Sequence, residues 1–266
     1  MNIQSLKVVY FSPTGTTKAI LQGIADGIGQ APAEFLDITK PEARIRPLQT
    51  AEDDLLILGV PVYMGRVPAL LENWLQRIQA RRTPTVCVVV YGNRAYENAL
   101  LELQDIVKAR GCTPIAGAAY IGEHSFSSSE LPTAQGRPDA GDLRHAEAFG
   151  RQIGEKLLAA ASLDSLSEVP IPGTRPYGGV TVLWDVDFIA LNDACIQDGL
   201  CATICPVGAI DPKDARAIDT EKCISCCACI KKCPQHARTM KNGPVKDAAI
   251  RLSTLYKERK EPECFL

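Results

Sequence analysis

The stretch Leu6-Lys7-Val8-Val9-Tyr10-Phe11-Ser12-Pro13-Thr14-Gly15-Thr16-Thr17-Lys18 is an apolar run that breaks into a glycine ringed by hydroxyl side chains. The run predicts a strand over 6–11. Ile20, Leu21, Ile24 and Ile28 then recur at helical spacing, which predicts a helix over 16–28. Strand, hydroxyl loop and helix N-terminus in that order form a receptacle for a dianionic phosphate. The hydroxyls donate hydrogen bonds, Gly15 lets the backbone approach, and the helix end supplies partial positive charge. The loop is neither G-x-x-x-x-G-K-[ST] nor G-x-G-x-x-G. A plain hydroxyl N-cap is the competing reading.

Downstream, strands predicted over 34–38, 54–59, 85–91 and 113–121 alternate with helices. One helix is opened by Pro68 and carries Leu71, Trp74, Leu75 and Ile78; another spans 95–110 and is closed by Gly111; a third covers 141–161. Near-continuous apolar strands imply a sheet covered on both faces, hence parallel and doubly wound, with Cys87 and Cys112 as small core residues. The fold class is therefore α/β, and five strands fit the order 2-1-3-4-5, which places a ligand at the strands' carboxyl ends. Two more loops reach that edge, Gly59-Val60-Pro61-Val62-Tyr63-Met64-Gly65-Arg66-Val67-Pro68 and Tyr91-Gly92-Asn93-Arg94-Ala95-Tyr96-Glu97, with Gly122-Glu123-His124-Ser125 after the fifth strand. Each of the two loops offers aromatic surface beside glycine backbone, which suits a flat cofactor ring. Arg66 is a cationic neighbour for such a ring, or else a solvated arginine.

The cysteines divide the chain. Of eleven, only Cys87 and Cys112 precede position 190, eight fall from Cys195 to Cys233, and Cys264 reads as a free surface thiol. With no basic and apolar leader at the N-terminus and no apolar run long enough to span a bilayer, the expected location is cytoplasmic, where dense cysteine points to metal. A net charge of −2 gives no reason to expect nucleic-acid or membrane binding. The proline-bearing segment 163–185 reads as a linker between domains 1–162 and 186–242, and 243–266 as a charged helix and tail. That helix is predicted over 246–260, with Ile250, Leu252 and Leu255 as its apolar positions.

Within the module, Cys195, Cys201, Cys205 and Pro206 recur 28 residues later as Cys223, Cys229, Cys233 and Pro234, and Asp198 maps onto Cys226. Two copies of one unit imply pseudo-twofold symmetry and two equivalent sites. The second copy, Cys223-Ile224-Ser225-Cys226-Cys227-Ala228-Cys229-Ile230-Lys231-Lys232-Cys233-Pro234, is a C-x2-C-x2-C-x3-C-P run. A Cys₄ zinc ribbon is the rival reading, but it needs neither the third cysteine two residues on nor the proline.

This run resembles that of the bacterial two-cluster ferredoxins, over roughly 190–240. The hydroxyl loop and its neighbours resemble the FMN loops of flavodoxins. Taken whole, the chain is similar to the flavodoxin–ferredoxin fusion proteins of anaerobes, a likeness that includes Pro172-Gly173-Thr174-Arg175-Pro176-Tyr177 and the tail from Glu261 to Phe265. The resemblance implies a flavodoxin-like domain with a smaller α+β ferredoxin-like domain. FMN would be held by Ser12, Thr14, Gly15, Thr16 and Thr17, by Pro61, Val62, Tyr63, Met64, Gly65 and Arg66, and by Tyr91, Gly92, Asn93, Tyr96, Glu97, His124 and Ser125. One [4Fe–4S] cluster would take Cys223, Cys226, Cys229 and Cys205. The other would take Cys195, Cys201, Cys233 and Asp198, as a [4Fe–4S] or [3Fe–4S] form, because a carboxylate holds iron more loosely than thiolate. The implied role is a redox relay serving a partner protein, the cofactors meeting inside one chain or across a homodimer. A flavin-dependent reductase, or a redox or iron sensor built on Asp198, are the alternatives.

Overall fold

The computed structural model describes residues 1, 3–29, 32–167, 169–179 and 186–266. Five parallel strands, β1 (Ser5–Tyr10), β2 (Ala33–Asp37), β3 (Asp54–Pro61), β4 (Thr83–Tyr91) and β5 (Cys112–Ile121), lie in the expected order 2-1-3-4-5. Leu6 stands between Ala33 and Leu55, and Leu56 beside Thr85. All nine residues of β4 are buried, as the central position of an apolar strand requires.

Strand alternation sends successive residues to opposite faces. Val8, Leu55 and Ile57 pack with Ile20, Leu21 and Ile24 of α1 (Thr16–Ile28) and Phe149, Ile153 and Leu157 of α4 (Ala140–Ala159). Val9, Leu56 and Leu58 pack on the other face with Trp74, Leu75, Leu100 and Leu103. Each such side chain contributes roughly 1.5–3 kcal/mol through burial. Glycines set the approach of α1 to α4, for a Cβ on Gly150 would lie 2.1 Å from the Ile24 carbonyl oxygen and one on Gly27 would lie 2.0 Å from that of Glu147.

Several expectations are corrected. The helix from Pro68 is only a 3-10 turn (Ala69–Leu71) followed by α2 (Glu72–Leu75), because Gln79–Ala80 is drawn into parallel pairing with Gln49–Thr50. Its apolar residues are buried all the same. Helix α3 (Ala99–Lys108) starts late because Asn93 and Glu97 have left-handed backbones. The last helix, α7 (Pro244–Leu255), buries Val245, Ala248, Ala249 and Leu252, while Ile250 and Leu255 face solvent. It stops short of Lys260 because the Tyr256 and Glu258 carbonyls accept from the Asn93 side chain, at 2.8 and 2.9 Å.

The cysteine module has a small core of its own around Phe188, Ile189, Ile210 and Val245. Antiparallel β6 (Ile189–Leu191) and β7 (Arg238–Met240) close it, with α5 (Leu200–Ile204) and α6 (Ala228–Lys231) related by the 28-residue offset. The offset also relates its left-handed backbones: Gln197 and Ser225, Gly199 and Cys227, Gly208 and His236. Cys227, surplus to the motif, is therefore the counterpart of a helix-opening glycine.

Beyond α7 the tail adds a sixth strand to the main sheet, β8 (Glu263–Phe265), antiparallel to β5, with Glu263 beside Ala119 and Phe265 beside Gly117. Cys264 is thus half-buried, its thiol against the Tyr120 hydroxyl at 3.7 Å. The linker is docked as well: the Thr174 N–H donates to Asn98, and Arg175 and Tyr177 bind Asp105. Residues 168 and 180–185 of the expected linker lie outside the described residues. Among the described residues no helix is long and apolar enough to cross a membrane.

Candidate functional site

A cleft runs along the carboxyl edge of the sheet, lined by Ser12, Thr14, Thr16 and Thr17, by Pro61, Val62, Tyr63 and Met64, by Tyr91 and Gly92, and by His124 and Ser125. In the first loop Gly15 turns the chain at φ +100° and opens α1. The Ser12 hydroxyl accepts from the Lys18 N–H at 3.1 Å, so it caps the helix as well as facing the cleft. The Thr17 hydroxyl is buried and has no partner in the protein. A phosphate at the helix end would satisfy it, which is what a flavin mononucleotide brings.

Met64 and Gly65 both have positive φ, and the Tyr63 and Arg66 N–H groups each donate to the other's carbonyl at 3.0 Å. This tight turn, which glycine makes easy, holds Tyr63 and Met64 at the rim. Arg66 does not face the cleft. It makes a two-pronged ion pair with Glu102, at 2.8 and 2.7 Å, and stacks over Tyr177. Asn93, Tyr96 and Glu97 also lie outside the lining: Asn93 and Tyr96 tie down the tail, Tyr96 through Glu263 at 2.7 Å, and Glu97 packs beneath Gly65. Gly15 and Gly65 shape the loops without lining the cleft.

The far wall comes from the cysteine module. Ile224 and Ser225 line the same cleft, as does Phe126 after β5; none of the three is marked by local sequence pattern. Lys231 clamps the two units together, donating to Glu123 at 2.6 Å and to the Ser127 carbonyl at 3.1 Å, while Arg44 donates to the Pro206 carbonyl at 2.8 Å. Burial opposes the Glu123 charge, but hydrogen bonds from Lys231 and the Gly136 N–H hold its carboxyl below the usual range. Burial, and then the proximity of Cys226 and Cys227, raise the Tyr63 phenol well above its ordinary value.

The eight sequence-predicted ligands ring two hollows. Cys205, Cys223, Cys226 and Cys229 line one, next to the cleft wall; Cys195, Asp198, Cys201 and Cys233 line the other, with Cys229 between them. Equivalent bonds recur at the 28-residue offset, the Ala209 N–H donating to Cys205 Sγ at 3.3 Å and the Ala237 N–H to Cys233 Sγ at 3.4 Å. Among the described residues no three His, Cys, Asp or Glu converge on a single metal ion. The four-sided hollows suit a polynuclear core, which spreads its thiolates farther apart than one ion does. Asp198 is exposed, and its carboxylate accepts from the Leu200 N–H at 3.0 Å. Buried Arg238 donates to Cys201 Sγ at 3.3 Å.

A family model described as a flavodoxin domain matches residues 7–116, and one described as a 4Fe-4S binding domain matches 191–211 and 216–239. The chain is a fusion of a flavodoxin domain with a 4Fe-4S ferredoxin domain. It is 37% identical over 60 residues to a probable iron-sulfur subunit of the Frd operon of Proteus vulgaris, a match covering 22% of this chain and 38% of that protein, so the chain spans well under half of that relative's length. Among solved structures, a flavodoxin from the domain Archaea shares 16% identity with a TM-score of 0.43, covering 58% of this chain and 99% of that one. Fusobacterium nucleatum flavodoxin bound to flavin mononucleotide shares 16% with a TM-score of 0.38, covering 58% and 99%. The flavodoxin domain implies FMN, and the 4Fe-4S binding domain implies iron–sulfur chemistry.

Three thiols and one histidine bear on that chemistry. In the ferredoxin domain, burial raises the Cys223 and Cys226 thiols and pushes Cys229 up to about 12. Metal-free, these are neutral thiols, and iron binding must release their protons. In the flavodoxin domain, His124 Nδ1 accepts from the Phe126 N–H at 3.0 Å, leaving the ring proton on Nε2. Burial, with the positive charges of Lys231 and Arg94, pushes its pKa down to about 4. An unfolded histidine titrates near 6.5, so the stability that neutral His124 contributes is complete above about pH 6.5 and is lost as pH falls through about 4. NMR of the His124 ring protons should give a midpoint near 4; a midpoint near 6.5 would show the ring to be freely solvated.

Proposed function

We propose that this chain is a redox relay that carries electrons between FMN and two iron–sulfur clusters and passes them to a partner oxidoreductase. The observation that carries this reading is the shared wall: Ile224 and Ser225, inside the Cys223–Cys226 ligand loop, line the same cleft as Thr17 and Tyr63. FMN exchanges one or two electrons and an iron–sulfur cluster one at a time, so the pair lets a two-electron partner meet a one-electron carrier.

The protein's part is placement. Thr14, Thr16 and Thr17 bind the phosphate, and Tyr63, Met64, Tyr91 and His124 enclose the ring. Cys205, Cys223, Cys226 and Cys229 hold the cluster nearer the cleft. Cys195, Cys201, Cys233 and Asp198 hold the outer one, in a three-iron or four-iron form. The exposure of Asp198, with Ile196 63% exposed beside it, makes the outer cluster the natural exit to a partner protein.

The test is anaerobic reconstitution followed by a redox titration read optically and by EPR. One FMN and about seven to eight irons per chain are expected. Reduced ferredoxin should reduce both cofactor types, whereas NAD(P)H alone should not. Zinc in place of iron would sink the reading, and so would turnover of an organic acceptor with NAD(P)H and no partner present.

A further inference from the structure

We infer that Ser225, supplied by the ferredoxin domain, is a flavin-binding residue: its hydroxyl hydrogen-bonds the FMN held by the flavodoxin domain. The inference rests on the reading of the cleft as the FMN site and adds to it a ligand that the flavodoxin domain does not contain.

Ser225 lines the cleft, is only 6% exposed, and its buried Oγ has no hydrogen-bond partner in the protein. A buried hydroxyl without a partner is costly and calls for one. Thr17, 1% exposed and lining the same cleft, also has a buried hydroxyl without a partner, so each domain contributes one unanswered donor to the cleft lining. The hydroxyl is also held in place. The Ser225 backbone has φ +54°, its carbonyl accepts from the Cys227 thiol at 3.6 Å, and Cys223 and Cys226 anchor the loop on either side.

The repeat sharpens the point. Position 225 corresponds to Gln197 in the first half of the module, also left-handed at φ +57°. The Gln197 side chain is answered inside its own domain, accepting from the Ala215 N–H at 2.9 Å. The side chain of its counterpart finds no partner in the protein, and the residue lines the flavin cleft. Glycine would adopt this backbone more readily, yet a hydroxyl side chain stands there.

The experiment compares the full chain with Ser225→Ala, Ser225→Gly and Thr17→Ala, all reconstituted anaerobically. It measures FMN dissociation by flavin fluorescence, the flavin midpoint potential, and iron and sulfide content. Ser225→Ala is expected to keep its iron, to bind FMN about tenfold more weakly and to shift the flavin potential. Should that variant lose iron, Ser225→Gly decides, since it removes the hydroxyl and suits the left-handed loop. FMN affinity within about twofold of the parent and an unmoved potential, in a variant with full iron, overturn the inference. If Thr17→Ala weakens FMN in that same experiment, the cleft remains the flavin site and only the role of Ser225 falls. A parent chain that binds no FMN overturns both.

Discussion

A Cys226→Ala chain, reconstituted without air, is expected to retain about half the parent's iron and sulfide. Cys226 is 8% exposed and lines the inner hollow with Cys205, Cys223 and Cys229. Removing one of the four proposed ligands, itself buried, would leave an iron corner with nothing to bind, and a cluster in such a site is part of the folding free energy. The flavin should be retained, because the hydroxyl loop at Thr14–Thr17 is untouched. The inner cluster's EPR signal should vanish while the outer cluster's persists. Cys227 lines the same hollow, but its backbone opens α6 at φ +56° and its thiol is turned to the Ser225 carbonyl. A variant with undiminished iron would show that the loop re-forms around Cys227, contrary to this assignment.

Gly150→Ala should destabilise the flavodoxin domain by about 3 kcal/mol. Alanine in mid-helix normally gains about 1 kcal/mol over glycine, so intrinsic propensity predicts the opposite sign. Packing decides here: the new Cβ would stand 2.1 Å from the Ile24 carbonyl oxygen, which is main chain of α1 and has no rotamer to change. Helices α1 and α4 would have to part, and Ile20, Ile24, Phe149 and Ile153 would lose contact with one another. Thermal denaturation followed by circular dichroism should show a drop in Tm of about 10 °C. An unchanged or raised Tm would mean that the two helices tolerate a wider crossing.

Much of this was legible in the chain. The apolar run at Leu55–Val60 and the helical spacing of Ile20, Leu21, Ile24 and Ile28 give the doubly wound sheet and its first helix, because local periodicity records which faces are buried. The cysteine spacing picks out eight residues that the fold gathers around two hollows, because the loops that carry them are local and repeat at a fixed offset. Side-chain direction is another matter. Arg66, Asn93, Tyr96 and Glu97 follow strands at the right edge, but left-handed turns aim them at Glu102, the tail or Gly65. Strand β8 is only Glu263-Cys264-Phe265, and its partner Ala118 is remote in sequence, so no local period announces it. Ile224 and Ser225 read as filler between cysteines; their contact with the cleft exists only because two separate domains meet there.

Strand β8 has a consequence for how the two halves travel. The ferredoxin module leaves the flavodoxin sheet through a segment docked on α3 and returns to it through an added edge strand, so it is bracketed at both ends. Severing either connection would leave the module moored by the other alone, free to sample a wider range of separations and at a lower effective concentration against the flavodoxin domain. In the proposed relay, a carrier on a single leash would shuttle, whereas one bracketed twice would work as a fixed wire and leave any mobile step to the partner at its outer end.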